Sequence, residues 1–310
     1  ERYNLPADYY EKYLERLAAI TIDDIQKVAK KYVKPENAII LVVGNKDECA
    51  NKLAKFAASK KVELFDFQAN AITEKPAKKI PQGLTGNQVM EDYLMAITNE
   101  TTMKGVLKKY KKLKSMTTIA SAKVDQMGQT FTIQMTSKSK SPDKSFVELK
   151  IVEMGMVVEK TVYNKGKGIS TNMQTGKKEL EGEDLEKGKL QAMLDKNVKL
   201  KELGYSLKLI GIEEFNEQDV YKLAVTSKQG DIKYEYFDVN SKLKVFSTAS
   251  DKSPTGEEVM SSQELKDYKE VNGMLHPHKM IMVSGSQEIE FNVSKIETNV
   301  KIDDNEFKLD

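Results

Sequence analysis

The chain has 310 residues, and 49 Lys and Arg against 47 Asp and Glu give it a net charge of +2. This near-neutral balance argues against a nucleic-acid-binding or membrane-surface protein. The bases are almost all lysine, because Arg2 and Arg16 are the only arginines. Arginine is the usual residue for bidentate contacts with bases and phosphates, so its scarcity points the same way.

The sequence also limits the cellular setting. Cys49 is the single cysteine, which excludes an internal disulfide but is compatible with both the cytosol and a cell envelope. No apolar run approaches the roughly 20 residues that span a bilayer, so we expect a protein that is not transmembrane. The chain opens on Glu1 without a recognisable signal peptide. Because Met is not first, we expect the sequence to begin inside a longer precursor.

The first 67 residues predict a small α/β segment. Helices are expected over residues 6–20, 21–34 and 46–58, and strands over 38–44 and 62–67. The strand over 38–44 is apolar without alternation, which is typical of a strand buried on both faces. Since such a strand needs neighbours that this segment does not supply, we expect residues 1–67 to be the incomplete tail of a larger domain.

A side-chain cap marks the start of the second helix. Thr21 is the predicted N-cap, and Asp24 stands three residues later, in the position of a capping box. Pro35 is expected to stop the helix.

The N-terminal segment resembles the closing part of a pitrilysin/insulinase-type zinc peptidase domain. The resemblance lies in LPADYYEKY (5–13), ITIDDIQKVAKKYV (20–33) and IILVVGN (39–45). The family's catalytic signature, H-x-x-E-H on a helix, is missing, because His276 and His278 are the only histidines. The resemblance therefore implies a zinc metallopeptidase only for the full-length protein, with zinc bound before Glu1. We expect this chain to be inactive alone, with no catalytic residue, metal site or cofactor of its own.

Residues 68–86 are expected to be a linker, because prolines and polar residues occur there without periodicity. Beyond it, residues 87–310 predict a second domain in which two short helices precede a long run of antiparallel strands. Each strand alternates apolar and polar side chains, so one face of the sheet must be covered. The helices are expected over 87–97, 101–110 and 181–196, and the strands over 112–124, 129–138, 145–153, 156–163 and 168–173, and from 205 to about 302.

This second part is similar to the lipoprotein-carrier-like (LolA/LolB-like) domains, which in some Bacteroidetes envelope proteins follow a pitrilysin-type peptidase domain. The resemblance lies in MEDYLMAI (90–97), LIGIEEFNEQDVYKL (209–223), YFDVNSKL (236–243), SQELKDYKEVNGMLHP (262–277) and NVKIDDNEF (299–307). It implies an α+β fold: a curved antiparallel half-barrel with covering helices and an apolar interior that accepts acyl chains. It also implies the periplasm as the location.

Two features are candidates for a binding site. His276 and His278 could share a metal ion, but no third ligand is identifiable, and Pro277 favours a surface turn there. An apolar cavity wall is the other candidate, since one strand presents Phe131, Ile133 and Met135 on one face. A second strand presents Val147, Leu149 and Ile151 on a face of its own. Methionines are frequent in this region, which suits either an ordinary core or an adaptable cavity.

Three functions remain open at this stage. The carrier-like domain binds an apolar ligand, a lipidated protein or a peptide; the chain is the non-catalytic C-terminal portion of an envelope zinc peptidase; or it is an accessory scaffold for a catalytic peptidase subunit. Residues 1–67 would then contact a peptidase partner or a second copy of the chain. We expect residues 39–43 to pair with that second copy or to pack against the carrier-like part, because exposed apolar side chains favour association.

Overall fold

In the computed structural model, the chain divides into two compact units, residues 1–75 and 76–310. We call them the N-terminal unit and the C-terminal unit. The structure describes residues 6, 8–44, 46–65, 71–72, 78–126, 128–252, 258–285 and 287–309. Much of the predicted linker, residues 68–70 and 73–77, lies outside the described residues.

The N-terminal unit holds three short α-helices: α1 (Tyr13–Ala18), α2 (Ile22–Tyr32) and α3 (Lys46–Leu53). The capping box of α2 is confirmed, because Asp24 N donates to Thr21 Oγ1 at 3.2 Å and Thr21 N donates to Asp24 Oδ2 at 3.1 Å. Helix α1 is shorter than predicted and has no side-chain cap at its start. Neither α1 nor α2 buries a side chain.

The strand predicted over residues 38–44 does not form. This segment has no strand partner within the described residues, and its side chains are exposed, with Ile39 and Val43 each 94% accessible. A strand needs a neighbour to receive its backbone hydrogen bonds, and the described part of this unit supplies none. The prediction of burial on both faces was therefore wrong for this chain. Of the edge strand predicted over 62–67, the described residues 62–65 show one isolated bridge, between Phe65 and Ala71, and residues 66–67 lie outside the described residues.

The described residues of the C-terminal unit form one antiparallel sheet of thirteen strands, which confirms the predicted α+β class with a curved, unclosed sheet. Its strand order is β6-β5-β4-β3-β2-β1-β13-β12-β11-β10-β9-β8-β7. The strands are β1 (Ser115–Gln126), β2 (Gln129–Lys140), β3 (Lys144–Ile151), β4 (Met156–Asn164), β5 (Lys167–Asn172), β6 (Gly176–Glu179), β7 (Ser206–Phe215), β8 (Gln218–Thr226), β9 (Ile232–Asp238), β10 (Lys244–Lys252), β11 (Glu258–Val271), β12 (Met274–Ser284) and β13 (Gln287–Thr298).

Tight turns connect neighbouring strands. Between β11 and β12 the turn is Asn272-Gly273, and both residues have positive φ, 51° and 78°. Two consecutive residues of this conformation match the right-handed twist of a hairpin, which is why Asn-Gly is favoured there.

Two helices cover one part of the sheet: α4 (Gly86–Thr98) and α5 (Met103–Lys112). Thr85 and Thr102 cap them by accepting hydrogen bonds from Gln88 N and Gly105 N, each at 3.2 Å. The helices bury their apolar faces against β7–β9 and β12, in the largest core cluster of the unit. At its centre the Phe237 ring, fully buried, contacts the Tyr93 ring edge-on with centroids 5.2 Å apart.

A third helix, α6 (Gly182–Ala192), packs on the opposite half of the sheet, against β2–β5. Ser139 Oγ and Ser145 Oγ donate hydrogen bonds to the Gln191 and Gly188 carbonyl oxygens, at 3.0 and 3.1 Å. Gly188 allows this close approach, since a Cβ there would lie 3.2 Å from Tyr163 Cβ. The helix ends earlier than predicted, and a 3₁₀ turn, Lys196–Val198, follows before β7.

Candidate functional site

The six predicted cavity residues lie on a single face of the sheet. Ile133 and Met135 of β2 stand directly opposite Ile151 and Leu149 of β3. Directly paired residues of an antiparallel sheet point to the same side, and alternate residues along a strand share that side. Phe131 and Val147 therefore belong to the same face, so the two predicted strand faces lie side by side on one side of the sheet.

Small side chains form the floor of this face. Ala120 and Ala122 of β1 lie opposite Met135 and Ile133 and are fully buried. Phe291 of β13 is buried beside them. Six half-buried apolar side chains pack around these three; they are Ile133, Met135, Leu149, Met280, Ile289 and Val293. This face therefore presents half-exposed apolar side chains around a buried centre, and we call it the apolar depression.

A cavity of about 270 Å³ lies at one end of the same strands. Met116 of β1 and Ser137 and Ser139 of β2 line it, and they share the face of Ala120 and Met135 by strand alternation. Its apolar walls come from α4, α5, β12 and the segment after α6. Its polar lining consists of Ser137, Ser139, Gln191, Lys196, Asn197 and His276. We call it the polar-lined cavity.

His276 does not lie in the predicted surface turn. It belongs to β12, after the Asn272-Gly273 turn, and is half-buried on the wall of the polar-lined cavity. Burial, together with the neighbouring His278, lowers the pKa of His276 below its usual value, so the ring is neutral at pH 7. Its Nε2 atom is buried and has no hydrogen-bond partner within the described residues.

Lys196 lies in the 3₁₀ turn after α6 and also lines the polar-lined cavity. Its side chain is solvent-accessible, yet enough protein surrounds the ammonium group for desolvation to be the largest influence on its pKa. Desolvation and the positive charges of Lys233 and Lys244 lower the pKa of Lys196 to about 8, against a smaller opposing effect of Glu235. These properties fit an amine at the wall of an open, concave site.

Glu235 of β9 is an acid whose charge acts on Lys196, and its side chain is only 5% exposed. Burial alone would raise the pKa of Glu235, but Lys244 and Lys233 outweigh it and lower the pKa to about 2. Glu235 Oε1 accepts from Lys233 Nζ at 2.7 Å and from Lys244 Nζ at 3.5 Å. The carboxylate therefore already has two cationic partners.

Sequence reasoning missed Lys196 and the cavity, and it considered His276 only as a possible metal ligand together with His278. No motif separates Lys196 from the many other lysines, and its position depends on how α6 docks on the sheet. Pro277 favoured a turn, whereas the turn forms earlier, at Asn272-Gly273.

The described residues contain no group of three or more His, Cys, Asp or Glu side chains arranged to hold a metal ion. No helix within these residues is both long and apolar enough to cross a membrane.

The N-terminal unit has a hollow of its own, of about 790 Å³. Its walls include the exposed apolar segment 38–44, Cys49 and Phe56. Most of its lining side chains are apolar, and Lys46, Cys49, Ser59, Lys61 and Glu63 also contribute to it.

Three solved structures are similar to this chain at low identity. A LolA superfamily protein from Nitrosomonas europaea shares 11% identity, with 73% of this chain and 98% of that chain covered and a TM-score of 0.47. A DUF1329 family protein from Desulfovibrio piger shares 11% identity, with 72% of this chain and 97% of that chain covered and a TM-score of 0.48. A putative outer membrane lipoprotein-sorting protein domain from Vibrio parahaemolyticus shares 13% identity, with 70% of this chain and 97% of that chain covered and a TM-score of 0.43. No family model and no curated protein matches the chain.

Proposed function

We propose that the C-terminal unit is a carrier-like binding module that holds an apolar chain, such as the acyl chain of a lipid or of a lipidated client, in the apolar depression. The observation that carries this proposal is the continuous apolar face of β1–β3, β12 and β13, with half-buried side chains around the buried Ala120 and Ala122. Every member of that cluster comes from a strand, so the depression is built on a rigid scaffold.

The energetics favour an extended apolar ligand. Covering apolar surface stabilises a complex by roughly 25 cal/mol per Å² removed from water, before the costs of association. Met135 and Met280 stand on the rim, and methionine adapts its shape to different apolar partners. A flexible acyl chain fits such a surface without strict shape matching.

Displacement of a fluorescent fatty-acid probe tests the proposal. Met135→Lys places a charge in the depression and is expected to weaken binding by roughly tenfold or more, since a desolvated charge is costly. The matched control is Thr136→Lys, on the other face of β2 opposite Glu148, which is expected to leave the affinity unchanged. Circular dichroism confirms that both variants fold. Equal loss in both variants, or no probe binding by the unmodified chain, would contradict the proposal.

A competition experiment distinguishes binding of a lipidated client from binding of a peptide without an acyl chain. Competition with an acylated peptide and with its unacylated form should displace the probe only in the acylated case. Displacement by both forms would favour a peptide-binding module.

The wider setting stays a proposal that rests on sequence resemblance. We place the chain in the periplasm, as the non-catalytic C-terminal portion of a zinc peptidase, with an accessory subunit of such a peptidase as the alternative. Residues 1–67 would then contact a peptidase partner or a second copy of the chain, through apolar side chains such as Ile39 and Val43. An H-x-x-E-H before Glu1 would support the first setting. Unchanged sedimentation of the chain at all concentrations and with a peptidase domain would argue against either contact.

A further inference from the structure

The polar-lined cavity contains two polar groups whose bonding capacity is unused. His276 Nε2 is buried without a hydrogen-bond partner in the described part of the chain. Lys196 Nζ makes no hydrogen bond or ion pair there either, although other lysines of the same turn region do, such as Lys199 with Asp195 at 2.7 Å. Buried polar groups are almost always paired, so the unpaired His276 Nε2 beside a cavity indicates a missing partner.

The charge around the cavity favours an anion. Lys196, Lys233 and Lys244 influence one another, and Glu235 is the acid that offsets them. Glu235 is already bonded to Lys233 and Lys244, which leaves the Lys196 ammonium as the available cation. Neutral His276 can still donate from Nε2, so the two residues together suit an acceptor with negative charge.

The cavity and the apolar depression are continuous along the sheet. On β2, Ser137 lines the cavity, while Met135 and Ile133, the next residues on that face, belong to the apolar cluster. At about 3.3 Å per residue, Ser137 and Ile133 lie roughly 13 Å apart along the strand. Strand β12 runs from the cavity to the depression in the same way: His276 lines the cavity, and Met280 belongs to the apolar cluster.

We infer that the ligand is a single-chain amphiphile with a carboxylate head group. Its carboxylate would accept hydrogen bonds from Lys196 Nζ and His276 Nε2 in the polar-lined cavity, and its alkyl chain would lie on the apolar depression. The inference rests on the proposed function and adds the class of head group. It assigns Lys196 and His276 as binding residues and Ser137 as the point where the polar and apolar parts of the site meet.

A comparison of dodecanoate with dodecanol tests the head group, because the two share one alkyl chain. Displacement of a neutral apolar probe gives both affinities. Dodecanoate is expected to bind roughly tenfold more tightly than dodecanol, because a tenfold difference in affinity corresponds to the free energy of about one charge-assisted hydrogen bond. Lys196→Met should remove most of that difference in affinity and leave the affinity for dodecanol unchanged. The control Lys201→Met replaces an exposed lysine of the same segment and should change neither affinity.

The pH dependence gives a second readout. The groups that face Lys196 are Lys233, Lys244 and Glu235, and its pKa is about 8. Lys196 is therefore charged below pH 8 and loses its proton as the pH rises through that value, while the ligand carboxylate stays ionised. Dodecanoate affinity should fall between pH 7 and 9.5, and Lys196→Arg should abolish the fall, because arginine stays charged.

The outcomes separate the two proposals. Equal affinity for dodecanoate and dodecanol, unaltered by Lys196→Met, would overturn the head-group inference and leave the apolar site in place. Failure of both ligands to displace the probe, or absence of probe binding, would overturn both proposals. His276→Phe keeps the ring volume and should weaken dodecanoate more than dodecanol, because the uncharged hydroxyl accepts a weaker hydrogen bond than the carboxylate. An equal loss of affinity for the two ligands would argue against a bond from His276 to the carboxylate.

Discussion

The two units differ in what their apolar residues do. In the N-terminal unit, α2 has a complete capping box and charges suited to its dipole, yet it buries no side chain. In the C-terminal unit, α4 has the simpler cap of Thr85 and buries seven residues. Local hydrogen bonds thus define where a helix begins in both units, whereas burial depends on partners far away in the chain. The difference shows that secondary structure alone says little about stability.

The sharpest test replaces a phenylalanine in each unit. Phe237→Ala removes a fully buried ring that contacts Tyr93 and should cost about 3–5 kcal/mol of unfolding free energy. Phe56→Ala removes a ring that is 62% exposed and should change the unfolding free energy by less than about 0.5 kcal/mol. Urea denaturation followed by circular dichroism measures both. Similar losses would mean that the Phe56 ring is covered in solution.

A smaller effect is expected at the buried charge cluster. Glu235→Gln should cost about 1.5–3 kcal/mol, because it weakens the hydrogen bonds to Lys233 and Lys244. The folded-state pKa of Glu235 is lowered from 4.5 to about 2, so its contribution is present above pH 4.5 and lost as the pH falls towards 2. The variant should therefore lose less stability than the unmodified chain over that interval. If the two proteins lost stability equally as the pH falls from 4.5 to 2, this result would contradict the pairing of Glu235 with Lys233 and Lys244.

The smallest effect compares the two helix caps. Thr85→Ala and Thr21→Ala each remove one side-chain cap, worth about 1 kcal/mol. Since α4 belongs to the main core, the first change should lower the global unfolding free energy. The second should only speed amide exchange at the start of α2. A global shift from Thr21→Ala would show that the N-terminal unit unfolds together with the C-terminal unit.

The sequence allowed the local features to be predicted, because they depend on neighbouring residues. Alternation located most strands of the C-terminal unit within a few residues, and Thr21 and Asp24 gave the cap of α2. The pairing of β1 with β13 was not predictable, because it joins residues as distant as Met116 and Thr298. Lys196 was missed, and the place of His276 in the cavity wall was not foreseen, for the same reason: α6, β2 and β12 meet only in the folded sheet. The strand predicted over residues 38–44 failed because an apolar run does not say whether a partner exists.

The strand order also has a consequence for folding. Within β1–β6 and within β7–β13, every pairing joins strands that are consecutive in the chain, and the β1–β13 pairing alone connects the two meanders. We call the β1–β13 pairing the seam. Forming it brings together strands that are separated by most of the C-terminal unit, at an entropic cost that short hairpins do not have. The meanders should therefore form before the seam. Two fragments divided in the exposed turn after Lys196–Val198 would each retain a complete meander, so the divided chain should reassemble along β1 and β13.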